Sequence, residues 1–265
     1  RSETSRLILE RTVSAEERIL RGGPGIDYAP SRLLRRLFNG SPQNSDGIHV
    51  ITTNYDTLLE LFCDLEGLPL DTGFSGFRRR KPRVSSGGIF EAAYTRERVT
   101  QRGKSGFEYR PCKRVRLYKP HGSISWLETS DGPVEVINDV LTKKRAIVVP
   151  GPSKYRDSMV DAVFDGMRSE MNDVILKASA LVCVGFGFND DHLQGVITQR
   201  VRGGMPAIII TRGATPSIEK LIKQNKQIIA VFASSDGSVF RWNGEVWRSG
   251  ESLWKLGDFM KKFLE

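Results

Sequence analysis

Ile48-His49-Val50-Ile51-Thr52-Thr53-Asn54-Tyr55-Asp56-Thr57-Leu58-Leu59-Glu60 is the stretch that decides how the chain is read. It opens as a short, mostly β-branched apolar run, the composition of a buried strand. It then turns polar and continues with the apolar spacing of a helix at Leu58, Leu59 and Phe62. A strand that passes into a helix through Thr-Thr-Asn-Tyr-Asp puts an amide, a carboxylate and hydroxyls at the strand's carboxyl end. In open α/β sheets, ligands bind in the crevice outside those ends. Asp56 falls in the predicted first helical turn, where a carboxylate interacts well with exposed N–H groups. Two readings of Asn54 and Asp56 stand at this point: groups that handle a ligand, or capping and turn residues.

Before this stretch, residues 1–21 read as a charged amphipathic helix ended by Gly22-Gly23-Pro24-Gly25. A second helix is predicted from Ala29 to Phe38. Residues 1–47 therefore form a helical N-terminal segment, and 48–265 the main domain. After it, a helix over 55–65 is followed by a tract from about 71 to 114 that is rich in Gly, Ser and Arg and has no sustained period. That tract reads as an insertion lying over the sheet or partly disordered. Further strands are expected at 115–120, 146–149, 180–184, 207–211 and 228–232. Helices are expected at 154–178, 191–201, 217–224 and 251–264. Apolar strands alternating with helices predict an α/β fold, with a doubly wound, mostly parallel sheet covered on both faces.

The chain of 265 residues is 39% hydrophobic with interspersed charge, the composition of a soluble globular protein. Its apolar runs are too short to span a bilayer, and no signal-peptide pattern opens it. Cys63, Cys112 and Cys183 are isolated, with neither a CxxC pair nor a disulfide framework. A cytoplasmic protein without structural zinc is the expectation. Charge is unevenly placed: Asp71 to Lys119 holds 14 Lys or Arg against 4 Asp or Glu, a balance of +10, so the rest of the +9 chain sums to −1. Arg78-Arg79-Arg80-Lys81 and Lys113-Arg114-Val115-Arg116 are its densest points. Such a block binds phosphates of nucleic acid, an acidic partner or the pyrophosphate of a cofactor, or is simply a solvated insertion. Few aromatic residues interleave with the basic ones, which counts against stacking on single strands.

Three polar clusters sit where predicted strands end: Thr52 to Asp56, Lys119 to Ser123, and Gly185 to His192. Strand ends converge on one edge of a doubly wound sheet, so the clusters are expected to share a crevice. His121, between Pro120 and Gly122, projects from a constrained turn and suits a general base near neutral pH; a surface or hydrogen-bonding role is the alternative. Gly185 and Gly187 allow close backbone approach to a phosphate or ribose, and the helix N-terminus after them favours anions. Asp190 and Asp191 serve equally well as caps. His49, inside an apolar strand, reads as a satisfied core or edge residue. No metal site is expected, His192 with Asp190 and Asp191 included.

In order and spacing these motifs resemble the sirtuin-like NAD-binding family, in particular its bacterial antiphage-defence branch of NAD hydrolases. Thr52-Thr53-Asn54-Tyr55-Asp56 is similar to its strand-end motif, Lys119-Pro120-His121-Gly122-Ser123 to its His-Gly motif, and Val184 to His192 to its glycine–aromatic–acidic turn. The resemblance covers roughly residues 48–232. It implies a Rossmann-like fold and cleavage of the nicotinamide–ribose bond of NAD as substrate. It assigns catalysis to Asn54, which positions the ribose or the attacking water, and to His121 as base. It assigns NAD contacts to Thr53, Asp56, Gly122, Gly185, Phe186 and Asp190.

Two departures qualify it. The family's first strand–turn–helix, with its glycine-rich phosphate loop, is not visible before residue 48. Paired cysteines are also absent, so the zinc module of protein-deacylating sirtuins is missing, which favours NAD hydrolysis. A zinc-free deacylase or ADP-ribosyl transferase is the alternative; a non-catalytic module binding nucleotide or nucleic acid is another. By the same resemblance the chain is expected to form a homo-oligomer. The partners it implies are a ring-forming translocase ATPase (HerA-type), an Argonaute-like protein or phage proteins. Nucleic acid through the basic insertion, and no membrane, complete the expectation.

Overall fold

Valine and isoleucine next to a glycine entry make Gly47–Ile51 a strand (β1), and it lies parallel to a later strand over residues 114–118. The computed structural model describes residues 2–21, 28–42, 44–83, 89–90, 93–101, 104–130, 132–136, 145–147 and 162–265. These divide into two compact units, one of residues 1–27 and 31–171, the other of residues 28–30 and 172–265.

The first unit opens with helices α1 (Ser2–Leu20) and α2 (Ala29–Gly40), the latter shared with the second unit at its first turn. Next come β1, helix α3 (Leu58–Leu65) and the short strands β2 (Leu70–Asp71), β3 (Phe74–Ser75) and β4 (Arg79–Pro82). Strands β5 (Tyr94–Gln101) and β6 (Lys104–Pro111) pair with each other as a hairpin. They are followed by β7 (Arg114–Tyr118), β8 (Gly122–Thr129), β9 (Gly132–Val136), β10 (Arg145–Ile147) and helix α4 (Ala162–Lys177), which runs on into the second unit. A three-stranded parallel sheet has the order β1-β7-β2, and a five-stranded antiparallel sheet the order β10-β8-β9-β4-β3. Trp126 of β8 anchors the core at 1% exposure, its ring 4.9 Å from that of Phe74 and 5.6 Å from that of Phe164 on α4.

The second unit holds β11 (Leu181–Val184), α5 (Asp191–Arg202), β12 (Ala207–Ile210), α6 (Pro216–Gln224), β13 (Ile228–Ser234), β14 (Gly237–Trp242), β15 (Glu245–Ser249) and α7 (Leu256–Phe263). Its sheet runs β11-β12-β13-β14-β15, parallel over the first three strands and antiparallel over the last two pairings. Ile210, Val231, Leu253 and Phe259 form a core cluster of this unit.

The fold is mixed α/β with parallel strands, as the alternation of apolar runs and helices implies. A single doubly wound sheet is not what the strand pairings describe: the parallel strands belong to two sheets, one in each unit, and an antiparallel sheet and a hairpin are added. The basic tract from 71 to 114 is also more ordered than its irregular composition suggests, since it carries β2 to β6. Asp71 and several of its arginines are structural. Buried Glu135 accepts hydrogen bonds from Arg80 Nη1 (3.0 Å) and Thr72 Oγ1 (3.1 Å), Asp71 pairs with Arg83, and Arg116 Nη1 lies 2.5 Å from Asp46. Arg80 is therefore part of the packing, whereas Arg78, Arg79 and Lys81 are exposed. The predicted start of the helix at 154, the strand residues 148–149 and the glycine run 22–25 lie outside the described residues.

The parallel pairing of β1 with β7 sets Ile51 opposite Tyr118, so the two strands end side by side. The segments beyond are tied together by a lysine. Lys119, 2% exposed, points its Nζ at Glu60 Oε1 on α3 (2.5 Å), donates to the Asp56 carbonyl (2.5 Å), and reaches Ser123 Oγ (3.2 Å). Burial pushes the Glu60 carboxyl above its ordinary value, and Lys119 pulls it back toward ionisation. A buried ion pair of this kind is weak evidence of net stability, but removing one partner leaves a charge stranded. Lys119→Met is expected to destabilise the protein by about 3 kcal/mol, and Lys119→Met combined with Glu60→Leu by clearly less. Urea unfolding of the three proteins measures this, and a single variant as stable as the parent would refute it.

His49 on β1 hydrogen-bonds through Nδ1 with the Tyr118 hydroxyl at 3.1 Å. Its pKa is depressed below 6.5, chiefly by burial and further by Arg116, against the opposing pull of Asp46. Between the depressed folded value and 6.5 the unfolded chain binds more protons, so this contribution to stability is present above pH 6.5 and lost as pH falls through the folded value. Unfolding free energy is expected to decline on acidification below pH 6.5, with a shallower decline in His49→Gln. Superimposable pH profiles for parent and variant would assign the decline elsewhere.

Candidate functional site

The carboxyl ends of β1 and β7 bring two of the three polar clusters together. The backbone N–H of Thr52 donates to the Tyr118 carbonyl (3.0 Å), which carries the parallel ladder one residue past β1. The Tyr55 carbonyl accepts from the N–H of Ile124 (2.8 Å) and from Ser123 Oγ (3.3 Å), and Ser123 Oγ lies 2.9 Å from Ser125 Oγ. Thr52–Asp56 and Lys119–Ser123 are thus one hydrogen-bonded assembly.

Within it, Asn54 is exposed, and its backbone N–H is held by Thr52 Oγ1 at 3.1 Å, a local turn that presents the side chain outward. Thr53 is half-buried beside it. Asp56 stands before α3, not in its first turn, and its Oδ1 accepts the N–H of Leu58 at 3.1 Å. One carboxylate oxygen therefore does the work of a cap. Thr57 hydrogen-bonds to Glu16 of α1 through both its backbone N–H and its hydroxyl, so the N-terminal helix braces the entry to α3.

His121 occupies the turn between β7 and β8 and is buried, with 8% exposure, so a fully solvated surface histidine is not what the fold makes of it. The turn is closed by the N–H of Gly122 donating to the Lys119 carbonyl at 2.9 Å. Gly122 has φ +85°, a conformation that side chains resist, which accounts for a glycine after the histidine. The backbone N–H of Lys119 reaches Met167 Sδ on α4 at 3.1 Å, which seats the turn on the core.

The third cluster lies in the second unit, where the ends of β11 and β12 are adjacent. Val184 pairs with Ile210, and the N–H of Gly185 continues the ladder to the Ile210 carbonyl at 2.8 Å. Gly185 has φ +66° with open space where a Cβ would stand. Phe188 holds a left-handed φ of +54° while fully buried, its ring 4.8 Å from that of half-buried Phe186. A bulky residue in that region is unfavourable by itself and marks a turn over-determined by its surroundings. Thr215 fixes it: its hydroxyl donates to the Gly187 carbonyl (2.6 Å) and accepts from the Ile218 N–H (3.3 Å) as cap of α6. Half-buried Asp190 precedes α5, and its carbonyl accepts the Gln194 N–H at 2.9 Å. The side chains of Asp191 and His192 lie outside the described ones. No group of three His, Cys, Asp or Glu able to hold a metal ion occurs among the described residues, and no described helix is long and apolar enough to cross a membrane.

Reading the sequence missed Glu60 and Ser123 as partners of Lys119, Ser125 as a partner of Ser123, and Thr215 as the brace of the Gly185–Asp190 turn. Thr215-Pro216 is a recognisable helix start, a capping hydroxyl followed by proline at the first helical position, so that signal was present. Lys119 gave none, because a lysine beside a proline reads as solvated.

No curated protein matches the chain. Residues 48–230, which run from β1 into β13 and include all three polar clusters, match the family model described as the SIR2-like domain. SIR2-like domains bind NAD, and the family is usually enzymatic with NAD-related chemistry. The match covers well over half of the sequence, and the chain belongs to the SIR2-like family.

Proposed function

We propose that the protein is an NAD glycohydrolase that cleaves NAD to nicotinamide and ADP-ribose, and that it acts as an NAD-depleting effector of bacterial antiviral defence. The observation that carries this reading is the joining of the Asn54 and His121 segments at the ends of two paired parallel strands. That arrangement sets an exposed amide and a sheltered imidazole on one hydrogen-bonded frame.

Loss of nicotinamide builds positive charge at the anomeric carbon, so a site must hold the ribose, limit bulk water and manage one proton. Asn54 supplies an amide that donates to and accepts from a ribose hydroxyl or a water. His121 takes the proton from that hydroxyl or water, a task suited to an imidazole near neutral pH. Thr53 and Gly122 flank these two groups, and Asp56 has a second carboxylate oxygen for the nicotinamide end while the first caps α3. The defence role and the choice of hydrolysis over deacylation rest on the motif resemblance and on the lack of cysteine pairs in the sequence.

His121→Ala and Asn54→Ala are each expected to lower NAD turnover by about 10²-fold or more, with His121→Gln as a variant that keeps a polar side chain but cannot titrate. Chromatographic identification of nicotinamide and ADP-ribose, alongside circular dichroism to confirm folding, measures it. NAD left intact by the parent protein, or turnover undiminished in folded variants, would overturn the proposal.

A further inference from the structure

The β5–β6 hairpin sorts its side chains by chemistry. Its register pairs Arg96 with Tyr109 and Arg98 with Phe107, and side chains of paired residues stand on the same face. Tyr94, Arg96 and Arg98 therefore share one face with Phe107 and Tyr109. The three rings are 60%, 58% and 65% exposed in the order Tyr94, Phe107, Tyr109, and both arginines are exposed. The Arg96 guanidinium carbon lies over the Phe107 ring, 3.6 Å from its centroid, a cation–π contact that ties the charge to the aromatic row.

That face carries no carboxylate. Both acids of the hairpin, Glu97 and Glu108, stand on the opposite face, where Arg110 lies 3.3 Å from each and balances them. Elsewhere in the basic tract Arg80, Arg83, Arg116 and Lys119 are paired with Glu135, Asp71, Asp46 and Glu60. Arg96 and Arg98 have no carboxylate on their own face. The shortage of interleaved aromatics along the sequence is thus removed by folding, because the register brings Phe107 and Tyr109 across to Arg98 and Arg96.

We propose that this face binds single-stranded nucleic acid, with bases stacked on Tyr94, Phe107 and Tyr109 and phosphates paired with Arg96 and Arg98. Same-face residues on a strand recur about every 7 Å, a spacing an extended polynucleotide can follow. Exposed rings beside unopposed guanidinium groups meet both of its chemistries, stacking and charge. An acidic protein surface satisfies only the charge.

The test is fluorescence anisotropy of the full chain with labelled oligothymidine and oligouridine of about 15 nucleotides, and with a duplex of equal length. Binding to single strands is expected at low salt, tighter than to duplex. Phe107→Ala/Tyr109→Ala is expected to weaken it roughly 100-fold, about tenfold per ring, without changing the salt dependence. Arg96→Ala/Arg98→Ala is expected to reduce the slope of log affinity against log salt by about 1.4. Arg110→Ala removes one charge from the other face and is expected to leave the slope unchanged. All five positions are solvent-facing, and circular dichroism confirms that each variant folds. Absence of single-strand binding, equal binding of duplex, or unchanged affinity in the aromatic variant would overturn the proposal. So would a dimer in sedimentation that dissociates on Tyr109→Ala, which would make the face a protein interface.

Discussion

A single buried ammonium group holds the candidate site in register. Lys119 sits at the end of β7, and its Nζ meets a carboxylate of α3, a carbonyl of the segment after β1 and a hydroxyl of β8. Two stretches distant in sequence, residues 56–60 and 119–123, converge on one charge. Parallel pairing of β1 with β7 brings the strand ends together, but a ladder alone does not fix the loops beyond it. In a low-dielectric setting the misplacement of any one partner leaves the ammonium under-solvated, so the arrangement is all-or-none. Asn54 and His121 are carried on the two loops that this lysine joins, which makes it a positioning group for both without its facing solvent.

The basic tract holds two kinds of arginine that its composition does not separate. Arg80, Arg83 and Arg116 neutralise acids in and around the sheets, and their loss would be felt as instability. The arginines of the hairpin lie outside any core, on strands exposed on both faces. An isolated two-stranded ribbon is marginal in water, and this one relies on ladder bonds, a cation–π contact and the Arg110 ion pairs. Net charge along the sequence gives the sum of both kinds; only the register shows which charges are paired and which face solvent.

What was legible in the sequence follows from where burial imposes a period. Helix α3, strand β7 and the β11–α5–β12–α6–β13 alternation all bury a face, and their apolar spacing announces them, whereas the strand at 47–51, apolar in type, is only half-buried. The motifs at Asn54, His121 and Gly185 were legible because residue type and order suffice to recognise them. The β5–β6 hairpin was not, since a ribbon with two wet faces needs no apolar alternation. Strands β14 and β15 were overlooked although Asn243-Gly244 between them is the residue pair of two-residue hairpin turns. The division of the parallel strands between two sheets had no local signal at all, because it depends on pairing and not on composition.

The distribution of tryptophan gives the molecule a built-in optical probe. Of its four indoles, Trp126 alone belongs to the first unit, enclosed between aromatic rings, while Trp242, Trp247 and Trp254 belong to the second. Trp242 and Trp247 are each 44% exposed with rings 6.0 Å apart, and so are open to a soluble quencher that cannot reach Trp126. Trp254 is half-buried against the second unit's core, so with Trp254→Phe the quencher-resistant, short-wavelength part of the emission reports on the core beneath β8. Opening of that half of the chain can be followed by light separately from events in the other, with no label added.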